Sequence, residues 1–235
     1  MCPEDKEAAQ ISVIVPTLNE EAVISDSLKA LRNEDLRIEI IVSDGGSTDA
    51  TRDKAAIDAD SVLITSRGRA AQMNHGADKA RGNIFFFLHA DCIIPTGAFV
   101  LIKNALCKPG VSAGAFDLKI AHNAPWARAI EGSANLRSRI LKIPYGDQGL
   151  FMTRQTFESI GGFKPLALME DVEIAGKLKA IGKIAFLKEK ITTSPRRWIK
   201  GGVVRTTLKD WKILFMYWIL RVPTERLARM YGDIR

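Results

Sequence analysis

Four short apolar runs divide the amino-terminal part of this chain. They are Ile11 to Val15, Ile38 to Val42, Ser61 to Thr65 and Ile84 to Leu88. Each is about one strand long and is bounded by polar or turn-forming residues. The segments between them carry helical signals. Glu21 to Arg32 places Ala22, Val23, Leu28 and Leu31 at helical spacing. Ser47, Thr48 and Asp49 are N-cap candidates for a helix through about Ile57, and Arg69 to Arg81 reads as a helix closed by Gly82. Strands alternating with helices predict an α/β, Rossmann-like, mostly parallel sheet with helices on both faces. A strand covered on both faces has no polar side, which is why these runs are nearly continuous rather than alternating.

In such sheets ligands bind beyond the carboxyl ends of the strands. Three strand ends here carry polar residues: Thr17-Leu18-Asn19-Glu20, Asp44-Gly45-Gly46-Ser47 and His89-Ala90-Asp91. Asp44 is either a turn former or a ligand group beside glycines that admit close approach. Asp91 ends the most apolar strand, where a carboxylate is costly to bury unpaired. A divalent cation shared with phosphate oxygens is a suitable partner. Arg67, Arg69 and Arg81 flank a helix containing Gln72 and Asn74, and a guanidinium suits diphosphate oxygens as well as it suits a solvated face. Glu170-Asp171 opens a helix, where acids favour the macrodipole and where a carboxylate can also serve as general base. Arg196-Arg197-Trp198 suits a diphosphate or a stacked sugar, or an ordinary exposed loop. His75 and His122 read as structural hydrogen bonders. No GK[ST] ending marks a Walker A loop and no GxGxxG marks a dinucleotide site.

Beyond Pro109 the pattern changes. Ser112 to Ile120 alternates as an antiparallel or mixed strand. Ala124 to Leu141 reads as a helix, Gln148 to Thr153 as a strand, Asp171 to Ala180 as a helix and Ile184 to Leu187 as a short strand. Val203 to Val222 reads as one long helix. Its residues Val204, Leu208, Trp211, Phe215, Trp218 and Val222 form an apolar stripe, with Arg205, Lys209, Lys212 and Arg221 off it. The net charge of +7 belongs to this region: residues 190–235 hold eleven Lys/Arg and three Asp/Glu, while the remainder holds 23 basic and 24 acidic residues. The expected division is residues 1–202 as the globular domain and 203–235 as a basic amphipathic tail. That tail packs on the domain, across a homodimer, or on a membrane surface. Met1 to Gln10 is polar and acidic, so no signal peptide is expected, and the longest apolar run, Ile213 to Leu220, is far short of the ~20 residues a span needs. Cys2, Cys92 and Cys107 form no CxxC pair and are expected as free thiols in a cytoplasmic protein, at most peripheral on the inner membrane face.

Taken together, these residues resemble the inverting family 2 nucleotide-sugar glycosyltransferases of the GT-A fold, from Ile11 to about Trp198. Val13-Ile14-Val15-Pro16-Thr17-Leu18-Asn19-Glu20-Glu21 is similar to the family's first strand and nucleotide loop. The resemblance thus assigns Pro16, Thr17, Leu18 and Glu20 to the nucleotide sugar, along with Asp44 at the nucleobase, Arg69 and Gln72 near the phosphates, and Ala90. Leu88-His89-Ala90-Asp91 stands at the DxD motif, with Asp91 as the metal ligand and His89 in place of the first Asp. Met169-Glu170-Asp171 after Gly161-Gly162-Phe163 resembles the ED motif, which implies Asp171 as catalytic base beside Glu170. Gly146-Asp147-Gln148-Gly149 resembles an acceptor-side loop, giving Asp147 and Gln148. Ser194-Pro195-Arg196-Arg197-Trp198 resembles QxxRW, and carries over Arg197 and Trp198 at the acceptor or diphosphate.

The resemblance implies sugar transfer from a nucleotide diphosphate sugar, UDP-sugar by the family's majority, to a sugar or lipid-linked acceptor hydroxyl. Mg²⁺ or Mn²⁺ is the implied cofactor, and no nucleic-acid partner is expected. A sugar-nucleotide nucleotidyltransferase would carry a Gly-rich basic loop after the first strand, and residues 16–21 are acidic and lack Gly. A non-enzymatic membrane or nucleic-acid adaptor would use only the basic tail.

Overall fold

The computed structural model describes residues 10–35 and 37–231. The expectations for residues 1–9, Cys2 among them, and for the last four residues of the tail lie outside the described residues. The chain forms one eight-stranded mixed sheet of order β3-β2-β1-β4-β7-β6-β8-β5. Its first half is parallel: β1 (Ile11–Thr17) lies between β2 (Glu39–Asp44) and β4 (Ile84–Phe87), and β3 (Ser61–Ile64) is outermost. The second half is mixed. β7 (Leu150–Thr153) runs antiparallel to β4 and to β6 (Val111–Ile120), β8 (Lys183–Thr193) runs parallel to β6, and the two-residue β5 (Cys92–Ile93) pairs antiparallel with β8.

Side-chain alternation sends each strand into two cores. Ile11, Val13 and Val15 face α1 (Ile24–Glu34) and α4 (Ala98–Leu106), together with Phe86. Ile14, Ile41, Phe85 and Phe87 face the other way, toward α3 (Arg69–Lys79) and α7 (Glu170–Ile181). All seven β1 residues are buried, as a central strand covered on both faces requires. Gly76 lets α3 lie close to that strand, since a Cβ there would stand 2.5 Å from the Ile14 side chain.

Several elements depart from expectation. α2 is only Thr51–Ala55, and Asp49 Oδ1 accepts from its first amide, that of Thr51, at 3.0 Å. The strand expected over Ile184 to Leu187 extends to Thr193, because pairing with β6 carries it through the polar Lys188-Glu189-Lys190 past an irregularity near Ala115/Asp117. Helices α4 and α6 (Arg154–Ser159) form outside the expected elements, and α6 is capped by Thr153, whose Oγ1 accepts from the Thr156 amide at 3.1 Å. α5 covers Pro125–Leu141 and α8 Arg196–Gly201.

The long helix expected over Val203 to Val222 forms but stops four residues early, and a further helix follows it. α9 runs Val203–Trp218, and α10 runs Thr224–Tyr231. Arg221 adopts a left-handed φ of 49°, and Pro223 follows closely; proline disfavours helical backbone in the residue before it. The two helices fold back on each other and bury Ile213, Leu214 and Leu227 against Leu168 and Met169. Of the expected stripe, only Val222 at its end packs against this cluster; Val204, Leu208, Trp211, Phe215 and Trp218 are exposed. Among the described residues, no helix is long and apolar enough to cross a membrane. Cys92 is a buried free thiol, as expected, whereas Cys107 is disulfide-bonded.

Candidate active site

The register of the parallel strands sets Thr17 beside Asp44, and β4 ends one strand over, so its continuation His89-Ala90-Asp91 emerges along the same edge. Across this edge lie the Gly146–Gln148 turn, the start of α7, and helices α8 to α10. They enclose one cavity of about 260 Å³. Asp91 and Asp171 both line it, together with Arg69, Asp147, Arg196 and Arg197.

Asp171 is held from two directions. Its Oδ1 accepts from the Val172 amide at 2.8 Å and its Oδ2 from the Gly146 amide at 3.4 Å. Met169, which leads into α7, adopts a left-handed φ of 70°. A bulky side chain in that region is strained, and the turn it makes brings the Glu170-Asp171 pair to the cavity wall. The two acids divide their surroundings. Buried Glu170 pairs with Arg69, Nε to Oε1 at 3.1 Å. Burial and then the neighbouring Glu170 charge raise Asp171 to about 7. That lies well above the ordinary Asp value of ~3.9. Burial lowers the Arg69 pKa, but Glu170 and Asp171 outweigh it and the net shift is upward.

Gly146 closes the turn beside His89. A Cβ at that position would stand 2.5 Å from His89 Nε2, and that ring nitrogen lies 3.4 Å from Arg69 Nη1. His89 thus touches the arginine side of the site. Asp147 is pushed upward by burial, against the pull of Arg197 and Arg137.

At the other end of the cavity, Arg196 forms an ion pair with Glu20 and reaches Asp91 Oδ2 at 3.6 Å. Two carboxylates from different strand ends therefore share one cation. Their oxygens are hard donors of the kind Mg²⁺ and Mn²⁺ prefer, so the residues present fit such an ion. No cluster of three or more His, Cys, Asp or Glu occurs among the described residues. The Tyr145 hydroxyl and the Nε atoms of Arg137 and Arg197 are buried without a hydrogen-bond partner, and all three residues line the cavity. Buried donors left unpaired are costly, and an oxygen-rich ligand would satisfy them.

Most of the expected site residues meet at this cavity: Pro16, Thr17, Leu18, Glu20, Arg69, Gln72, Ala90, Asp91, Asp147, Gln148, Glu170, Asp171, Arg197 and Trp198. Some are there as supports. Gln72 donates to the carbonyls of Thr17 and Ser43 at 2.6 and 2.9 Å, tying the two loops together. Gln148 accepts from Ser138 Oγ at 2.7 Å and from the Tyr145 amide at 3.1 Å, which fixes the turn. Arg197 is engaged by Asp210 and by the Tyr231 ring, and Trp198 is buried against Ile120 and Ala127 rather than presented for stacking.

Asp44 does not line the cavity. Its fully buried carboxylate accepts from Thr17 Oγ1 and from the amides of Gly46 and Ser47 at 2.7 to 3.0 Å, so it organises the loop. Arg137, Tyr145, Asp210 and Tyr231 are site residues that sequence reasoning misses, and Arg196 is one that the QxxRW resemblance leaves out. Ile130, Ala134 and Arg137 do sit at helical spacing on α5, a stripe that ends in a charge, and that is the available signal.

The model of the family described as "Glycosyl transferase family 2" matches residues 12–165. A probable glycosyltransferase, YdaM, of Bacillus subtilis is 28% identical over 224 residues, covering 82% of this chain and 53% of that protein. A GalNAc(5)-diNAcBac-PP-undecaprenol beta-1,3-glucosyltransferase of Campylobacter jejuni is 33% identical over 98 residues, 38% of this chain and 32% of its own. The chain thus spans about half or less of the length of these curated relatives. Among solved structures, the mannosyltransferase PcManGT of Pyrobaculum calidifontis, in complex with GDP-Man and Mn²⁺, aligns with a TM-score of 0.62 at 22% identity, over 95% of this chain and 73% of that one. The glucosyl-3-phosphoglycerate synthase of Mycobacterium tuberculosis with Mn²⁺, UDP and phosphoglyceric acid aligns at 0.60 and 21%, over 86% and 78%. The fold is the GT-A fold of these structures, and the chain belongs to glycosyl transferase family 2.

Proposed function

We propose that this chain is an inverting glycosyltransferase that moves a sugar from a nucleotide diphosphate sugar, a UDP-sugar in the first instance, to a hydroxyl of a sugar or lipid-linked acceptor. The observation that carries this reading is that Asp91 and Asp171, from distant parts of the chain, line one cavity. The Pro16 to Glu20 loop, held in shape by Asp44 and Gln72, receives the nucleoside. Asp91, with Glu20 nearby, would hold Mg²⁺ or Mn²⁺ on the diphosphate, where the cation supplies charge stabilisation to the leaving group. The Mn²⁺ named with two fold relatives supports that choice of ion.

Asp171 is the base. A carboxylate raised to about 7 is a stronger proton acceptor than an ordinary Asp and is still substantially ionised at neutral pH. It takes the proton of the acceptor hydroxyl as that oxygen attacks the anomeric carbon from the face opposite the diphosphate, so configuration inverts. Arg69 pairs with Glu170 and pulls the Asp171 pKa downward, which offsets part of the rise that burial and Glu170 produce.

A hydrolysis and transfer screen of UDP-, GDP- and dTDP-sugars with Mg²⁺ or Mn²⁺ tests the reading. Metal-dependent release of a nucleoside diphosphate from one donor class is expected. No release from any donor, with no metal-dependent nucleotide binding by calorimetry, would sink it and favour the adaptor reading.

A further inference from the structure

The outer face of α9 is apolar and uncovered. Leu208, Trp211 and Phe215 are 65%, 50% and 55% exposed, and Val204 and Trp218 continue the row at helical spacing. The helix does not need this face to dock on the domain, because Ile213 and Leu214 on its other side already do so. A two-faced helix of this kind presents tryptophan and phenylalanine to something outside the monomer.

The charges around the row say what that is. Arg205 and Lys212 are exposed on α9, and Lys200, Arg221, Arg226 and Arg229 are exposed just beyond it. The single carboxylate in the α9 sequence, Asp210, is turned inward onto Arg197 and Tyr231. From Arg196 to Tyr231 the one exposed acid is Glu225. A symmetric dimer through this face would set these like charges against their own copies, which is unfavourable. A surface of anionic headgroups complements them, and its acyl boundary accepts the apolar row, with Trp at the depth its amphipathic ring prefers.

We infer that the Val204-to-Trp218 face of α9 seats the protein on an anionic lipid surface, lying on it rather than crossing it. The inference stands apart from the transfer chemistry. It does have a consequence for it, resting on the proposed function: Trp211 belongs both to this face and to the cavity wall, where its ring lies 5.5 Å from the Arg137 guanidinium, so an acceptor carried in the lipid lies at the mouth of the site.

The test is co-sedimentation of the full chain with phosphatidylcholine vesicles, with and without phosphatidylglycerol, at low and high salt. Two variants avoid the cavity-lining residues: Leu208→Ser/Phe215→Ser/Trp218→Ser, and Arg205→Glu/Lys212→Glu. The full chain is expected to pellet with anionic vesicles and less so at high salt. The triple variant should lose binding by ~tenfold or more, since three apolar side chains no longer enter the lipid. The charge-reversal variant should lose the preference for phosphatidylglycerol. Failure of the parent chain to pellet overturns the inference, as does unchanged pelleting of both variants. So does a parent dimer in sedimentation velocity that the triple variant converts to monomer without any vesicle binding. Should the triple variant lose its melting transition, the charge-reversal variant, altered only at exposed positions, decides alone. Metal-dependent nucleotide binding by calorimetry, measured without vesicles, separates failure here from failure of the transferase reading.

Discussion

Arg69 Nε lies 3.1 Å from Glu170 Oε1, so a helix from the first half of the chain neutralises the acid adjacent to Asp171 in the second half. This pairing determines which of two neighbouring carboxylates is available for chemistry. A second uncompensated anion beside Asp171 would hold its proton on. We predict that Arg69→Ala, which strands buried Glu170, lowers turnover and also stability, by ~3 kcal/mol or more, as the loss of one partner of a buried pair does. Urea denaturation and donor-hydrolysis assays on the same variant would check both.

Asp171→Asn keeps the shape of the site and removes the proposed base. Turnover should fall by ~10²–10⁴-fold, the usual worth of a general base, while donor affinity stays within a factor of ~3. Single-turnover transfer and nucleotide calorimetry measure the two separately. Parental turnover in this variant means the acceptor proton leaves by another route.

The elevated Asp171 pKa has two pH signatures. Activity should rise as pH approaches about 7, where the base ionises, and then level off. Stability should move the other way. The unfolded chain releases this proton near 3.8 and the folded chain near 7, so between those values the folded state holds the extra proton. Its stability falls as pH rises through that window and the loss is complete above it. The asparagine side chain of Asp171→Asn does not titrate, so the melting-temperature advantage of that variant over the parent should widen from about pH 5 to about pH 8. A constant difference across that range would show that Asp171 titrates as an ordinary aspartate.

Arg196 bridges Asp91 and Glu20. A metal entering alone must compete with that guanidinium. Arg196→Ala should therefore tighten Mn²⁺ binding to the donor-free protein, by ~tenfold for a change of ~1.4 kcal/mol. Calorimetric titration with Mn²⁺ tests this; weaker binding would mean that Arg196 assembles the site and does not occupy it.

Gly146→Ala would drive a methyl group to within 2.5 Å of His89 Nε2 in a closed turn. Overpacking of this kind costs ~1–3 kcal/mol. The expected result is a lower melting temperature together with reduced turnover, because the Gly146 amide also holds Asp171. Thermal melts paired with activity at a temperature well below the transition distinguish the two effects.

The strand-and-helix alternation, the parallel half of the sheet and most of the residues at the strand ends are legible in the chain. Strand ends are local features: Thr17, His89 and Asp91 follow apolar runs closely, and the parallel pairing of those runs can deliver them only to one edge. The ED pair is legible through its neighbours, Gly161-Gly162-Phe163 and Met169. What the sequence does not disclose is occupancy. Asp44 has the character of a ligand residue, yet its oxygens are taken by Thr17, Gly46 and Ser47. Trp198 is similarly consumed by packing on Ile120 and Ala127.

The tail shows the same division most sharply. Periodicity marks the apolar stripe of α9 and leaves open whether the domain, a second copy or a membrane covers it. The fold buries Ile213 and Leu214 instead and leaves the stripe facing out. Hydrophobic spacing reports that a face will avoid water; it does not name the surface that covers it. Likewise, Asp91 and Asp171 carry their residue types and local turns in the chain itself. Their meeting at one cavity, the arginines beside them and the proton affinity of Asp171 come from contacts between distant segments. Electrostatic fields and desolvation depend on what is packed nearby rather than on what is adjacent along the backbone.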